Sequence, residues 1–157
     1  MNAPTVHGSI HASCVSIGGR GVLLRGASGA GKSHLAFALI LAGGVGRVPP
    51  VRLVADDRVR LETRAGRLVA SAPHGLAGLI EVRGAGLRRL PFDVETVLDL
   101  VVDLDAPDAA RLPEEAACRA RIDGVELRRL PVLKSGDPLQ QVLAVLLTAP
   151  FSDMPIP

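Results

Sequence analysis

The stretch "GASGAGKS" at residues 26–33 constrains the fold of this chain more than any other feature. A glycine followed, after four residues, by Gly-Lys-Ser is typical of a phosphate-binding loop, or P-loop. The apolar run at 22–24 predicts a buried strand before the loop, and apolar residues at helical spacing predict a helix over 32–42. This order of strand, loop and helix lets backbone N–H groups and the helix N-terminus surround one phosphate group.

The side chains of this loop predict a site for a nucleotide or polyphosphate with magnesium. Lys32 is expected to reach the outer phosphates, and the Ser33 hydroxyl is expected to ligate Mg²⁺. The residues expected to cradle the phosphates are Gly26, Ala27, Ser28, Gly29, Ala30, Gly31, Lys32 and Ser33. The alternative is an ordinary glycine turn with a surface lysine, and the agreement between the loop and its flanks argues against it.

Length and composition indicate one soluble globular domain. The chain has 157 residues, 48% of them hydrophobic, which is enough to bury a core. The formal net charge of +2 does not favour nucleic-acid binding. Cys14 and Cys118 fit no metal-binding spacing. No Lys or Arg precedes Arg20, so the sequence lacks the positive start of a signal peptide. No apolar run reaches the roughly 20 residues of a membrane span. We therefore expect a cytoplasmic protein that binds neither membranes nor nucleic acid.

The hydrophobic patterns along the chain predict more strands than helices. Two or three short strands are expected over 5–24, broken at Gly18-Gly19 and Gly21, and a loop with a short helix is expected over 72–86. The other predicted elements are a strand at 51–57, a hairpin at 58–71, a strand at 96–105, an irregular connection at 106–124, a strand at 125–132 and a helix at 137–149. The pattern indicates an α/β fold.

Two adjacent carboxylates, Asp56 and Asp57, end the predicted strand "VRLVADD". Asp57 follows Lys32 by 25 residues, a distance that accommodates a helix and a crossover to a neighbouring parallel strand. Because ligands bind at the carboxyl ends of the strands in open α/β sheets, both aspartates are expected beside the phosphate site. One carboxylate is expected to hold the metal or its waters, and the other to accept a proton from an attacking hydroxyl group.

Five segments in one order carry a resemblance to a known family. They are "HG" at His7-Gly8, "GASGAGKS", "RLVADDRV", "APHGLAGLIEVRGAG" and "LPVLKSG". Over residues 5–140 the chain resembles the catalytic domain of HPr kinase/phosphorylase, the bacterial enzyme that phosphorylates a serine of the phosphocarrier protein HPr. The resemblance implies an α/β fold like that of phosphoenolpyruvate carboxykinase, with a mixed sheet and flanking helices around the P-loop. It also implies a single catalytic domain over 1–157, without the N-terminal domain of longer relatives, as in short alphaproteobacterial forms.

The resemblance also implies roles for individual residues. The residues expected to be catalytic are His7, Lys32, Asp57 and Arg111. Among them Asp57 is expected to be the base that deprotonates the target serine, while Ser33 and Glu81 are expected to bind Mg²⁺. The expected cofactors are therefore ATP and Mg²⁺. The expected substrate is an HPr-type phosphocarrier protein, and the enzyme is expected to be a homo-oligomer.

One segment departs from the family pattern. Relatives that also remove the phosphate carry Arg and Asn before the last helix, whereas this chain has Asp137 and Pro138 in "PVLKSGDP". Asp137 is instead expected to cap the predicted helix at 137–149, with Pro138 in its first turn. Because an anion replaces an anion-binding side chain, we expect a kinase with little phosphorylase activity.

Two other functions are compatible with a P-loop. The first is a small-molecule kinase or a carboxykinase-like enzyme, and the second is a non-catalytic nucleotide-binding regulator. No group of residues in the sequence is dedicated to a small substrate. A switch protein with an N-K-x-D base-reading motif is excluded, because lysine occurs only at positions 32 and 134.

Overall fold

The structure, a computed structural model, describes residues 5–150 and the side chains from Gly8 onward. In these residues the strands are β1 (Thr5–His11), β2 (Ser13–Ile17), β3 (Arg20–Arg25), β4 (Val51–Ala55), β5 (Arg58–Arg64), β6 (Arg67–Ser71), β7 (Leu79–Val82), β8 (Gly86–Arg89), β9 (Glu95–Asp103), β10 (Arg119–Ile122) and β11 (Val125–Pro131). The helices are α1 (Lys32–Gly44) and α2 (Pro138–Leu147), and a 3₁₀ turn covers Glu115–Cys118. The predicted excess of strands over helices is confirmed.

The central sheet has the order β10-β11-β9-β3-β2-β4 and is mixed. β9 runs parallel to both β3 and β11, whereas β2 runs antiparallel to both β3 and β4. The first residues of β9 pair instead with β6, and the sheet continues from β6 through β5 to β1. The sheet therefore curls, so that β5 and β6 pack against one face of the central strands while α1 and α2 pack against the other.

Alternating side chains of β3 fill a core on each face of the central sheet. Val22 and Leu24 pack with Leu35 and Leu39 of α1, whereas Leu23 belongs to the core shared with β5 and β6. Each of these five side chains is at most 2% exposed. Burial of such a side chain stabilises the fold by about 1.5–3 kcal/mol. The predicted buried strand and the predicted helix are confirmed, and both anchor the loop between them.

The sequence predicted a strand break at Gly21, but this prediction is wrong. Gly21 lies inside β3. A Cβ atom at this position would lie 2.6 Å from Thr96 Cγ2 and 2.8 Å from the Val97 carbonyl oxygen. The register between β3 and β9 also shifts immediately after Gly21. Glycine is required here because β9 passes too close for a side chain, at the point where it changes from one part of the sheet to the other.

The strand that precedes the two aspartates is not a neighbour of β3, contrary to the predicted crossover. β2 lies between β3 and β4 and is antiparallel to both of them. The crossover from β3 through α1 therefore skips one position in the sheet. That position is filled by a strand that precedes the P-loop in the sequence, which a count of residues after the loop does not reveal.

A second correction concerns residues 72–86, for which the sequence predicts a loop with a short helix. Residues 79–89 instead form β7 and β8, an antiparallel pair that is separate from the central sheet. Each strand has only four residues. Strands of this length between glycines carry too little alternation to be recognised from the sequence.

The second helix agrees with its prediction. Asp137 Oδ1 accepts a hydrogen bond from the backbone N–H of Gln140 at 3.1 Å, and Pro138 is the first helical residue. Asp137 therefore caps α2, as its position before Pro138 predicts. Among the described residues, neither helix combines the length and the apolar character that crossing a membrane requires.

Candidate active site

The carboxyl ends of β3, β4 and β9 lie at one edge of the central sheet. The P-loop follows β3, and Asp56 and Asp57 follow β4. Because β2 is antiparallel to both strands, its first residue, Ser13, lies at the same edge. A cleft of about 410 Å³ opens here, lined by the P-loop together with His11, Asp57 and Glu81. The structure thus brings the predicted phosphate loop together with the predicted carboxylates.

The backbone of the P-loop explains its glycines. Gly29 and Gly31 have φ angles of 82° and 102°, in the left-handed region where a side chain is strained. A Cβ atom at Gly26 would lie 3.1 Å from the Cβ atoms of both Ala30 and Leu104. The first glycine is therefore needed for close packing, and the other two are needed for the curl of the backbone.

Lys32 is the first residue of α1, and its side chain turns back toward the start of the P-loop. The side chain is 6% exposed, and Nζ donates hydrogen bonds to the carbonyl oxygens of Gly26 at 2.7 Å and Ala27 at 3.0 Å. Burial lowers the pKa of Lys32, and the charges of Asp57 and Asp56 oppose that shift. The amino group is thus held at the loop by weak acceptors that phosphate oxygens can replace.

Asp56 is a buried carboxylate with three hydrogen-bond donors. The residue is 6% exposed. Its Oδ1 accepts hydrogen bonds from the hydroxyls of Ser13 and Ser33, each at 2.7 Å, and its Oδ2 accepts one from the backbone N–H of Glu81 at 3.1 Å. These bonds offset the cost of burying the carboxylate. They also orient the Ser33 hydroxyl so that its proton faces Asp56 and its lone pairs remain available to a cation.

Asp57 lies in a very different environment from its neighbour. Its side chain is 71% exposed, and Oδ1 lies 3.0 Å from Nε2 of His11. The backbone φ of Asp57 is 64°, a left-handed value that a non-glycine residue adopts at a cost of about 1–3 kcal/mol. The backbone N–H of Ala12 donates to the Asp57 carbonyl oxygen at 3.2 Å. The strained turn therefore aims this carboxylate into the cleft and away from Asp56.

The histidine beside Asp57 is His11, which the sequence did not single out. His11 is the last residue of β1 and pairs with Arg58 at the start of β5. Only this pairing, between positions far apart in the sequence, places the imidazole at the cleft. His7, the histidine that the resemblance indicated, has a side chain outside the described residues.

Glu81 belongs to β7 and lines the same cleft as Asp57. Among the described side chains, no group of three or more His, Cys, Asp or Glu residues is arranged to hold a metal ion unaided. The oxygens of Ser33 and Glu81 fit Mg²⁺, which usually takes one or two protein oxygens and obtains its other ligands from phosphates and water. Ser33 and Glu81 both line the cleft, so their oxygens suit such a partial site.

Arg111 does not line the cleft in this structure. It is exposed within residues 104–114, which contain no helix or strand. The wall of the cleft does include one arginine, Arg83, in the turn between β7 and β8. The structure therefore leaves the role of Arg111 a prediction.

An ion-pair network ties the segment after β9 to the edge of the sheet. Arg25, directly before the P-loop, donates to both carboxylate oxygens of Asp103 at 2.7 and 2.8 Å. Arg129 donates to Asp103 at 2.5 Å, to Asp108 at 2.7 and 3.0 Å, and to the Ala117 carbonyl oxygen at 2.8 Å. Burial raises the pKa of Asp103, but the hydrogen bonds from Arg25 and Arg129 outweigh burial and hold the pKa below its ordinary value.

Asp103→Asn is expected to lower the free energy of unfolding by about 1–3 kcal/mol at pH 7. Because the pKa of Asp103 is lower in the folded than in the unfolded chain, its carboxylate stabilises the fold above about pH 4. That stabilisation is lost as the pH falls through the lowered pKa. Urea unfolding at pH 7 and at pH 2 measures the free energy of unfolding of the variant and of the wild type. The difference between the two proteins is expected to be smaller at pH 2 than at pH 7. Asp99→Asn is the control, since the more exposed Asp99–Arg128 pair contributes under about 1 kcal/mol. A difference that persisted unchanged at pH 2 would refute the assignment.

Comparison with sequence models of protein families shows the family of this chain. The sequence model of the HPr Serine kinase C-terminal domain matches residues 3–111. The chain belongs to this family. The match contains the P-loop, both aspartates and Glu81 of the HPr kinase-type domain, and it ends at Arg111.

The curated relatives of this HPr kinase-type domain include two bacterial proteins named HPr kinase/phosphorylase. The protein of Clostridium tetani is 39% identical over 93 residues, which are 58% of this chain and 28% of the relative. The protein of Exiguobacterium sibiricum is 43% identical over 122 residues, which are 70% of this chain and 35% of the relative. The chain thus spans about a third or less of the length of these relatives.

A solved structure has the same fold as this HPr kinase-type domain. It is described as the HPr(Ser) kinase/phosphatase from Coxiella burnetii and superposes with a TM-score of 0.70 at 24% sequence identity. The alignment covers 88% of this chain and 87% of that chain. The predicted P-loop fold with a mixed sheet and flanking helices is confirmed.

Proposed function

We propose that the chain is an ATP-dependent serine kinase whose substrate is an HPr-type phosphocarrier protein. The observation that carries the proposal is the division between the two adjacent aspartates beside the P-loop. Asp56 is buried and accepts a hydrogen bond from the Ser33 hydroxyl, whereas Asp57 is exposed in the cleft next to His11. These two environments suit a phosphotransferase, because one can organise the metal side of the site and the other can accept a proton. Membership of the HPr kinase family supports the choice of substrate.

The phosphate side of the proposed reaction is assigned to residues 26–33 and Glu81. The loop N–H groups and the Lys32 amino group hold the triphosphate of ATP. Ser33 and Glu81 supply oxygens for Mg²⁺, which when bound neutralises charge on the phosphates. Asp56 keeps the Ser33 hydroxyl oriented through the 2.7 Å hydrogen bond. The terminal phosphoryl group is thereby fixed at the mouth of the loop.

The acceptor side is assigned to Asp57 and His11. The Asp57 carboxylate takes the proton of the attacking serine hydroxyl as the new O–P bond forms and the bond to the ADP oxygen breaks. His11, at 3.0 Å from Asp57, holds the carboxylate in the cleft. In the reverse direction the same carboxylate returns the proton.

The exposure of Asp57 favours a protein acceptor over a small molecule. An enzyme for a small substrate generally encloses it in a pocket. Here the proposed base is 71% exposed, so the space beyond it is open to a large partner.

The experiment that tests this choice supplies labelled ATP and Mg²⁺ with competing acceptors. The acceptors are an HPr-type protein from the same genome, its target Ser→Ala variant, and a mixture of small hydroxyl compounds. Label is expected only on the unmodified phosphocarrier. Transfer to a small compound but not to the protein would favour a small-molecule kinase instead.

Glu81→Gln is expected to raise the concentration of Mg²⁺ needed for half-maximal transfer by about tenfold. The amide keeps the size of the side chain but removes the charge that a hard cation prefers. A magnesium titration of the initial rate at saturating ATP measures the shift. Glu62→Gln on β5 serves as the control, because Glu62 pairs with Arg64 and does not line the cleft. An unchanged titration for Glu81→Gln would remove this residue from the metal site.

Phosphorolysis is expected to be slow, because the resemblance to the family implies an arginine where this chain has the anionic Asp137. Inorganic phosphate and phosphoserine are both anionic and need positive partners to approach each other. The assay supplies phosphoserine-HPr and millimolar phosphate without nucleotide, and follows pyrophosphate. Asp137→Arg is expected to increase the rate in part, although it removes the cap of α2 at a cost of about 1 kcal/mol. Asp137→Ser keeps a cap without the charge and separates the two effects. Rapid pyrophosphate release by the wild type would contradict the expectation.

A further inference from the structure

The β7–β8 hairpin, residues 79–89 and here named the ribbon, forms one wall of the cleft. On its inner side Ile80 is 0% exposed and belongs to the core under α1. The backbone N–H of Glu81 donates to Asp56, so the ribbon is hydrogen-bonded directly to the candidate active site. The position of the ribbon relative to the reacting groups is therefore fixed.

The exposed part of the ribbon carries positive charge that forms no ion pair within the described residues. Arg83, Arg88 and Arg89 are exposed, and none of them makes a side-chain hydrogen bond or ion pair with another described residue. Glu81 is the only carboxylate in residues 79–92. Three guanidinium groups against one carboxylate make this surface complementary to an acidic one.

Leu87 adds an apolar contact point beside the same charges. It is 66% exposed and lies opposite Glu81 in the register of the ribbon. Residues opposite each other in an antiparallel pair lie on the same face. Leu87 therefore lies on the face that carries the cleft carboxylate. Arg89 is opposite Leu79 and lies on this same face, whereas Arg88 is opposite Ile80 and belongs to the other face of the ribbon. An exposed apolar residue beside an arginine has the composition of a protein interface.

We propose that the ribbon docks the protein that presents the acceptor serine, with Leu87 against an apolar spot and Arg89 against an acidic rim, to which the nearby exposed Arg88 adds positive charge. The inference rests on the proposed function for its choice of partner. The surface is continuous with the cleft, because Glu81, Val82 and Arg83 line that cleft. A protein whose serine reaches Asp57 is thus brought over the ribbon.

The bound nucleotide does not account for these side chains. Leu87, Arg88 and Arg89 are not among the residues that line the cleft. A triphosphate held by the P-loop leaves them exposed. A partner that extends beyond the cleft reaches them.

The test compares Arg88→Glu/Arg89→Glu and Leu87→Ser with a control of equal charge change, Arg47→Glu/Arg121→Glu. Arg47 and Arg121 are exposed and lie outside both the ribbon and the cleft. Calorimetry measures binding of an HPr-type protein, and a fluorescent ATP analogue measures nucleotide binding. The ribbon variants are expected to weaken acceptor binding by about tenfold or more, with unchanged nucleotide affinity. The charge-reversed pair is also expected to lose the salt dependence of acceptor binding, while Leu87→Ser keeps it.

Several outcomes overturn the inference. One is that the control variant weakens acceptor binding as much as the ribbon variants do, because the effect would then depend on net charge alone. Another is an equal loss of nucleotide affinity in Arg88→Glu/Arg89→Glu, which makes the ribbon a phosphate site. Wild-type protein that does not bind the phosphocarrier overturns it as well. Wild-type protein that binds the phosphocarrier through the ribbon but transfers no phosphate retains this inference and refutes the proposed function.

Discussion

Lys32→Ala is expected to reduce phosphoryl transfer from ATP by about 10²- to 10³-fold. Lys32 is buried in the P-loop, where its amino group donates hydrogen bonds to the carbonyl oxygens of Gly26 and Ala27. When ATP is bound, this charge is proposed to stabilise the negative charge on the phosphates during transfer, and alanine cannot replace it. Initial rates at saturating ATP and Mg²⁺ measure the loss.

Lys134→Ala is the matched control for this experiment. Lys134 is the only other lysine of the chain and is exposed outside the cleft. Its removal is expected to leave transfer from ATP within about twofold of the wild-type rate. Undiminished transfer by Lys32→Ala would mean that the phosphate site lies elsewhere.

Asp57→Asn is expected to bind Mg²⁺-ATP normally and to reduce transfer by about 10²- to 10⁴-fold. The amide keeps the shape of the side chain but cannot accept a proton from the serine hydroxyl. Equilibrium binding of a nucleotide analogue and single-turnover transfer separate the two steps. Because Asp57 is exposed, the free energy of unfolding is expected to change little.

Asp56→Asn is expected to behave differently, which makes the pair a discriminating test. An amide at this buried position places an NH₂ group among the three donors that now bind the carboxylate. The resulting loss is expected in the free energy of unfolding, by about 1–3 kcal/mol, and in the Mg²⁺ requirement. If Asp56→Asn retained its stability but lost transfer, while Asp57→Asn remained active, the two roles would be reversed.

The parts of the molecule that the sequence predicts well depend on neighbouring residues. The loop at 26–33 joins a strand of six residues and a helix of thirteen, and the apolar pattern of each is read from neighbouring residues. Asp137 and Pro138 likewise identify the start of α2, because a cap acts on the backbone N–H of Gln140 only three residues away. Local hydrogen bonding and periodicity decide these elements.

The parts that the sequence does not predict depend on distant pairings. His11 reaches Asp57 only because β1 pairs with β5, and Ser13 reaches Asp56 only because β2 inserts between β3 and β4. The ribbon is missed for a related reason, since its four-residue strands are held by contacts of Ile80 and Glu81 with the rest of the chain. No local pattern reports which strands become neighbours.

The most direct test of the proposed kinase activity is the chemical identity of its product. Purified chain is incubated with ATP, Mg²⁺ and the HPr-type protein, ADP is quantified, and tandem mass spectrometry locates the phosphate. The account predicts phosphate on a single serine, formed in equal amount to ADP and absent with Lys32→Ala and Asp57→Asn. ADP without phosphoserine, or phosphate on a histidine of the acceptor, would contradict it.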